Sequence, residues 1–284
     1  MKQFTSIMVE SHEGWARVTL NRPDRRNAFD ACMVEELCEA FSLLGQDSSV
    51  RAITLAGNGS AFCAGADIDW LGAGGAVSAF QARKDAEQLM EMLRTIDECP
   101  CPVIGRIQGA AFGGGIGLVA ACDIAVAAEE ATFALSEVRL GMVSGVIAPL
   151  LLHKTGEVFV RRFCLTGEIF PASAAKQYNL VHDVVATDKL ESRTAELVHA
   201  VVSLAPQAVR DTKALFRRFR TASDNERWHA GVKANVRARL SAEAREGFQA
   251  FLEKRRPVWP ALSANQSKKS SSKGQPNDVE ARRA

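Results

Sequence analysis

A run of four glycines within five residues, Gly113-Gly-Gly-Ile-Gly117, constrains the fold of this chain more than any other feature. It lies between a predicted strand (103–108) and an apolar stretch (116–122) that is predicted to be helical. Glycines allow close backbone approach, and at a helix start they leave N–H groups free to meet negative charge. A nucleotide loop is disfavoured, because Leu118 stands where a dinucleotide fingerprint needs its third glycine. The run predicts an anion-binding helix N-terminus or, alternatively, only tight helix–strand packing.

Strand and helix patterns alternate along the first part of the chain. Short apolar runs predict strands at residues 7–9, 15–20, 50–56, 103–108 and 124–127. Helical spacing of apolar residues predicts one helix capped by Asp30 and a second at residues 80–97, with a turn at 109–115. This alternation is typical of an α/β layer built from parallel ββα units.

The C-terminal third is predicted to be helical and then disordered. Helices are expected at residues 206–220 and 232–256, whereas residues 263–284 are Ser/Lys/Gln-rich and show no apolar periodicity. Four basic residues at helical spacing within the predicted helix at 206–220 are interpreted as its solvent-facing side, and the alternative is a contact with phosphate or RNA. These residues are Arg210, Lys213, Arg217 and Arg220.

Composition excludes several functional classes. The net charge of +2 resides in the tail, so the part before residue 263 carries 30 basic and 31 acidic residues and offers no footprint for nucleic acid or a membrane surface. Seven cysteines in no regular array suggest free thiols in a reducing compartment, and no apolar N-terminal signal is found. We expect a cytoplasmic protein without a membrane span and without a metal site.

Two further segments suggest chemistry near the glycine run. Residues 60–69 follow a predicted strand and are mostly small, so this loop can offer a second bare backbone N–H. Two convergent N–H donors are what a developing thioester enolate oxygen requires. Glu137 is flanked by apolar residues and could shuttle a proton; its alternative role is an ordinary salt bridge to Arg139 or Arg106.

These three segments resemble the enoyl-CoA hydratase/isomerase (crotonase) family in their order, their spacing and their amino-acid sequences. Supporting matches are Leu20-Asn-Arg-Pro-Asp-Arg-Arg-Asn-Ala28 near the start and Glu243-Ala-Arg-Glu-Gly247 near the end. The resemblance covers roughly residues 5–260. It implies an α/β crotonase (ClpP/crotonase-like) spiral of ββα units at 1–205, a C-terminal helical trimerisation region at 206–262, and homotrimers or hexamers of paired trimers.

The resemblance also implies roles for individual residues. The oxyanion hole would be the N–H groups of Ala66 and Gly114, and Glu137 would handle the α-proton of an acyl-CoA substrate. Arg26 would approach the pyrophosphate, while Phe251 and Lys254 would reach the coenzyme of a neighbouring subunit; simple helix packing is the alternative for Phe251. No cofactor is implied, since the coenzyme A thioester is itself the substrate. The other implied coenzyme contacts are Ala28, Ala64, Asp67, Ile68 and Asp69.

The chain departs from the standard hydratase pattern at two places. Gly117 stands where the first catalytic glutamate is expected, and Val143-Ser-Gly-Val-Ile147 replaces the usual Pro-Gly-x-Gly-Gly. The motif sequences most resemble those of hydratases that act on branched or carboxylated enoyl-CoAs, of the methylglutaconyl-CoA and isohexenylglutaconyl-CoA type. Such enzymes would serve fatty acid or branched-chain amino acid catabolism. A Δ3,Δ2-enoyl-CoA isomerase, which needs one base, and a catalytically silent acyl-CoA-binding member remain alternatives.

Overall fold

The computed structural model describes residues 3–72, 75 and 77–259. The strands are β1 (Ile7–His12), β2 (Trp15–Leu20), β3 (Ala52–Gly57), β4 (Val103–Ile107), β5 (Ala110–Phe112), β6 (Ile124–Ala128), β7 (Thr132–Ala134), β8 (Ile169–Pro171) and β9 (Asp183–Val185). The helices are α1 (Ala31–Gln46), α2 (Ala79–Asp97), α3 (Gly114–Ala121), α4 (Ala148–Thr155), α5 (Glu157–Thr166), α6 (Ala172–Gln177), α7 (Leu190–Val202), α8 (Pro206–Phe219), α9 (Asp224–Arg239) and α10 (Ala242–Leu252). Short 3-10 turns occur at Pro23–Arg25, Glu137–Leu140 and Thr187–Lys189.

A six-stranded sheet in the order β1-β2-β3-β4-β6-β9 forms the centre of the molecule. Only β1 and β2 pair antiparallel, and the remaining pairs are parallel. A second sheet, β5-β7-β8, lies beyond the carboxyl ends of β4 and β6. The ββα order recurs as β1-β2-α1, β4-β5-α3 and β6-β7-α4.

The two faces of the large sheet pack against different helices. Ala125 and Ala127 of β6 belong to the main core, which also contains the buried faces of α1, α2 and α3. Their neighbours Val126 and Ala128 face the other way and pack with Leu190 of α7. Both faces are covered, which accounts for the unbroken burial of β3.

The first helices begin where side-chain caps are available. The Asp30 carboxylate accepts from Met33 N at 3.0 Å at the start of α1, and the Ser78 hydroxyl caps α2 in the same way at Gln81 N. The apolar stripe of α1 is buried as its spacing predicts. Both helices were predicted from sequence, and both are confirmed.

Two sequence-based boundaries are wrong. The predicted turn at 109–115 contains strand β5 and the first turn of α3, because Ala110 and Phe112 pair with β7. The predicted helix at 232–256 is two helices, since Ser241 interrupts it and caps α10 by accepting from Ala244 N at 3.0 Å. The predicted tail at 263–284 lies outside the described residues.

The basic stripe of α8 is a docking face, so its interpretation as a solvated face is wrong. The Arg210 guanidinium donates to the carbonyl oxygens of Asp47 and Val50 at 3.1 and 2.9 Å. Lys213 Nζ donates to Asp123 Oδ2 at 2.6 Å. Arg220 forms a two-pronged pair with Asp97. These cations satisfy loop carbonyls and carboxylates of the core, and they therefore attach the C-terminal helices to it.

The remaining sequence-based expectations concern membranes and thiols. None of the described helices is long and apolar enough to cross a bilayer. All seven cysteines are free thiols, and Cys63, Cys99, Cys101 and Cys122 are buried.

We expect Lys213→Ala to lower the free energy of unfolding by about 1–3 kcal/mol, because it leaves the half-buried Asp123 carboxylate without its cation. The matched control is Arg218→Ala on the exposed side of α8, which should change stability by less than about 0.5 kcal/mol. Urea denaturation measures both. Equal effects of the two substitutions would contradict the docking role of the stripe.

Candidate active site

A cavity of about 390 Å³ opens at the carboxyl-terminal edge of the parallel strands. The loop after β3, the N-terminus of α3 and the 3-10 turn after β7 form one side of it, and α2 with the loop before α4 forms the other. Its lining is mostly apolar. The lining residues include Arg25, Ala28, Phe29, Ala64, Gly65, Ala66, Asp67, Ile68, Asp69, Leu89, Leu93, Gly113, Gly114, Ser136, Glu137, Met142, Val143, Ser144, Val146 and Ile147.

The loop after β3 is held by backbone hydrogen bonds that leave Ala66 out. Phe29 N donates to Gly65 O at 2.9 Å, and Asp67 N donates to Phe29 O at 2.9 Å. Ala64 N donates to Arg26 O at 3.0 Å. Within the described residues the Ala66 N–H has no backbone acceptor, although its neighbours are fully engaged. An unpaired donor thus remains at the cavity wall.

The N-terminus of α3 supplies a second unpaired donor. Gly113 N donates to Ala134 O at 2.8 Å, whereas Gly114 N has no backbone acceptor in the part of the chain that the structure describes. A Cβ built on Gly65 would lie 3.3 Å from Gly114 N, so the two loops touch at this point. A Cβ on Gly114 itself would lie 2.4 Å from Phe29 Cζ. Glycine at both positions permits the close approach of the two donors.

The electrostatics of α3 favour negative charge at this point. Free N–H groups and the helix dipole both attract an anion to the helix start. At the other end, Lys154 Nζ donates to Cys122 O at 2.6 Å and to Val119 O at 3.3 Å. Burial lowers the pKa of Lys154, while neighbouring Asp123 opposes that change. The structure therefore places a cation at the negative end of the helix and free donors at its positive end.

Glu137 lies beside these donors with one oxygen free. A Cβ on Gly113 would lie 3.4 Å from Glu137 Oε1. Glu137 Oε2 is buried and has no hydrogen-bond partner among the described residues. The alternative role as a salt bridge to Arg139 or Arg106 is not found among the described residues: Arg106 pairs instead with Glu191 at 2.8 Å, and Glu137 forms no ion pair with Arg139. An uncommitted carboxylate next to an anion-binding site can accept and return a proton.

Asn27 organises the site, and the sequence analysis missed it. It is fully buried with φ of 56°, and its Nδ2 donates to Asn58 O at 2.8 Å and Ala61 O at 2.9 Å. Its Oδ1 accepts from Arg22 N at 2.9 Å. Asparagine tolerates a left-handed backbone better than most residues, so its place in the polar turn after β2 was the available signal.

Some of the residues implied as coenzyme contacts line the cavity, and others do not. Arg26 is exposed and lies outside the cavity wall; its neighbour Arg25 lines the cavity and pairs with Asp69 at 3.2 Å. Asp67 lines the cavity, but its carboxylate is engaged with Arg22 at 3.1 Å and with the N–H of Asp69. Ala28, Ala64 and Ile68 are lining residues.

The C-terminal candidates and Gly117 are separate from this cavity. Phe251 is 83% exposed and lines a second cavity between α8 and α10, and Lys254 is exposed beyond α10. Gly117 is buried, and a Cβ there would lie 2.6 Å from Ile147 Cγ2. Gly117 is not among the residues that line the cavity, and a side chain at this position would meet Ile147.

Cys63 is a structural thiol. Its Sγ donates to Asn27 O at 3.1 Å, and its backbone joins the two donor loops through bonds with Ala110 O and Phe112 N. Burial raises the pKa of this thiol to about 12. A thiol with that pKa is not a nucleophile at neutral pH.

Comparison with known proteins gives a consistent result. The model of the Enoyl-CoA hydratase/isomerase family matches residues 10–261. A putative enoyl-CoA hydratase of Thermus thermophilus is 32% identical over 251 residues, which cover 88% of this chain and 99% of that protein. The structure of an enoyl-CoA hydratase from Mycobacterium smegmatis superposes with a TM-score of 0.86 at 34% identity, covering 90% and 99% of the two chains. Pseudomonas aeruginosa AtuE gives 0.86 at 35% identity with the same coverage. The predicted α/β crotonase fold is confirmed.

We expect Asn27→Ala to lower the free energy of unfolding by about 2–4 kcal/mol, because two buried carbonyls lose their donor. Asn27→Asp should cost a similar amount at neutral pH, since it keeps the shape but places a carboxylate against both carbonyls. The exposed Asn58 is the control, and its truncation to alanine should cost less than about 1 kcal/mol. Denaturant unfolding distinguishes these outcomes; a fully stable Asn27→Asp protein would show that the amide does not hold the loop.

Proposed function

The chain belongs to the enoyl-CoA hydratase/isomerase (crotonase) family, and on that premise we propose that it adds water to a branched α,β-unsaturated acyl-CoA. The observation that carries the proposal is the buried, unpaired Glu137 oxygen beside two unpaired N–H groups, those of Ala66 and Gly114. The N–H pair provides for an oxyanion, and the carboxylate provides for the proton that must reach the neighbouring carbon.

The proposed chemistry follows from charge development. The thioester oxygen lies between the N–H groups of Ala66 and Gly114, so the negative charge that grows when water adds at Cβ is met by two fixed donors. Such donors are already oriented and cost no reorganisation at the moment of reaction. Glu137 delivers the α-proton in hydration or removes it in dehydration. No cofactor beyond the coenzyme A thioester, which is the substrate, enters the proposal.

The lining of the cavity supports an apolar, branched acyl group. Leu89, Leu93, Val146 and Ile147 contribute hydrocarbon surface around the space next to Glu137. Among the lining residues that the structure describes, the cation is Arg25, whose guanidinium already pairs with Asp69. Because we assign Arg25 to the coenzyme phosphates, a carboxylated acyl group of the glutaconyl type would meet no other cation among the described lining residues, and it would share the space with the Glu137 carboxylate. A branched hydrocarbon chain therefore fits the lining better.

The coenzyme itself requires a polar approach to the cavity. Ala66, Asp67, Ile68 and Asp69 form the rim, and we place the adenine end of the coenzyme along it. Arg25, rather than Arg26, lines the cavity here, and we propose that it faces the phosphates. The proposed phosphate-binding residue is therefore Arg25, one position before Arg26, which the family resemblance implies.

Double-bond migration is the second candidate, and a specific observation favours it. Gly117 supplies no carboxylate, and Ile147 lies against it. Among the described lining residues, the carboxylates are Glu137 in the inner cavity and Asp67 and Asp69 at the rim. One base suffices to move a proton between Cα and Cγ. The names of the relatives, which are hydratases by description, favour hydration. A member that binds acyl-CoA without turnover is the third outcome.

We propose that the chain assembles as trimers or paired trimers through its C-terminal helices. Large apolar side chains are exposed there, among them Trp228 at 77%, Phe248 at 60% and Phe251 at 83%. Several large exposed apolar side chains on one part of a chain support an interaction site there. The assembly would also cover the cavity between α8 and α10.

Substitution of Glu137 by glutamine should reduce kcat by roughly 10²–10⁴-fold, as expected for loss of a general acid–base group, while acyl-CoA binding persists. The control is Glu129→Gln, an exposed carboxylate after β6, which should retain full activity. Steady-state kinetics and calorimetric titration with an acyl-CoA measure the two properties. A fully active Glu137→Gln enzyme would remove Glu137 from the mechanism.

A panel of enoyl-CoA substrates should separate the three candidate functions. We expect kcat/KM for hydration of a branched, apolar enoyl-CoA to exceed that for crotonyl-CoA by at least ~10-fold, about 1.4 kcal/mol of transition-state binding. A carboxylated branched substrate should rank below its apolar counterpart. Double-bond migration without hydration would favour the isomerase, and binding without either reaction would favour the silent member.

A further inference from the structure

Two residues that line the same apolar cavity each carry a buried, unsatisfied oxygen atom. Among the described residues, three buried side-chain oxygens lack a hydrogen-bond partner: Thr54 Oγ1, Glu137 Oε2 and Ser144 Oγ. The latter two belong to residues that line the candidate active site. Buried polar groups are almost always paired, so two exceptions in one cavity indicate a polar guest that belongs there during function.

Ser144 is held firmly in the loop before α4. Its backbone carbonyl accepts from Ala148 N at 3.0 Å and so begins that helix. The thiol of Cys164, on α5, contacts the Ser144 hydroxyl: burial raises the pKa of this thiol, the contact with Ser144 lowers it, and the charge of Glu137 raises it. A thiol is only a weak donor or acceptor, and it therefore leaves the hydroxyl available to a better partner.

Position 117, where a second catalytic carboxylate is expected, supplies no polar side chain in this protein. Gly117 has no side chain, and Ile147 occupies the adjacent space, with its Cγ2 2.6 Å from where a Cβ would lie. Leu93 closes the same region at 3.3 Å. A water molecule beside Glu137 consequently needs another polar neighbour, and a buried water is stable only with two or more.

We propose that Ser144 is the water-positioning residue of this enzyme and holds the attacking water together with Glu137; this rests on the proposed hydratase function. The water donates one hydrogen to Glu137 Oε2 and the other to Ser144 Oγ, which leaves a lone pair free for Cβ.

The proton balance closes with a single carboxylate. The water oxygen forms its bond to Cβ while Glu137 takes one of the water hydrogens, and the π electrons of the double bond move to the thioester oxygen held by Ala66 and Gly114. The enolate then collapses, and Cα takes the same proton from Glu137. Every atom of the water ends in the product, and Glu137 returns to its starting charge.

The test compares Ser144→Ala, Ser144→Thr and the control Ser173→Ala, an exposed serine on α6 outside the cavity. Two readouts are taken on each purified protein: hydration of a branched enoyl-CoA, and exchange of α-hydrogens of a saturated acyl-CoA with deuterated solvent. Exchange needs Glu137 and the oxyanion donors but no positioned water. We expect Ser144→Ala to lower kcat for hydration by at least about tenfold, as for loss of one hydrogen bond to a reacting group. KM and the exchange rate should stay within about twofold, and Ser144→Thr should restore part of the hydration rate.

The possible failures are distinguishable. Hydration by Ser144→Ala at the wild-type rate overturns the role of Ser144 and leaves the hydratase function standing. A parallel fall in hydration, exchange and thermal stability shows a structural serine and also overturns it. A wild-type protein that exchanges α-hydrogens but never hydrates overturns the proposed hydratase function, and the inference with it.

Discussion

The structure depends on bringing two backbone N–H groups together while leaving both without an acceptor. Unpaired donors normally destabilise a protein interior, and folded chains avoid them. Here the surrounding bonds are complete: Cys63 is joined to Ala110 and Phe112, and Phe29 is joined to Gly65 and Asp67. These ladders immobilise both loops, so the donors at Ala66 and Gly114 cannot relax toward each other or into the core. The parallel sheet supplies the platform, because β3 and β4 end side by side.

The same requirement explains the unusual side chains around the cavity. Asn27 replaces backbone hydrogen bonds that the loop cannot make, and the Arg22–Asp67 pair fixes its outer turn. Glu137 and Ser144 keep buried oxygens unsatisfied at a cost in stability. Proteins accept such violations of local rules mainly where function requires them.

Sequence reasoning succeeded where the signal is local and failed where it is long-range. The Asp30 cap and the stripe of α1 lie within one segment, and the glycine run shows directly where the backbone must come close. By contrast, β5, β7 and β8 are each three residues long, and each pairs with a strand more than fifteen positions away in sequence. The basic stripe of α8 looked solvated because its acceptors lie about a hundred or more positions away along the chain.

Helix α3 connects the unpaired donors to the Lys154 cation, and this limits how the segment can vary. Eight residues at 1.5 Å each span about 12 Å, and both ends are attached, at Ala134 through Gly113 and at Lys154 through Cys122. Insertion of one residue would rotate one end by about 100° relative to the other, given 3.6 residues per turn. Apolar side chains inside the helix could be exchanged for others of similar volume. Its length is the invariant quantity, so homologous chains that share this arrangement should show substitutions between these two anchors and no gaps.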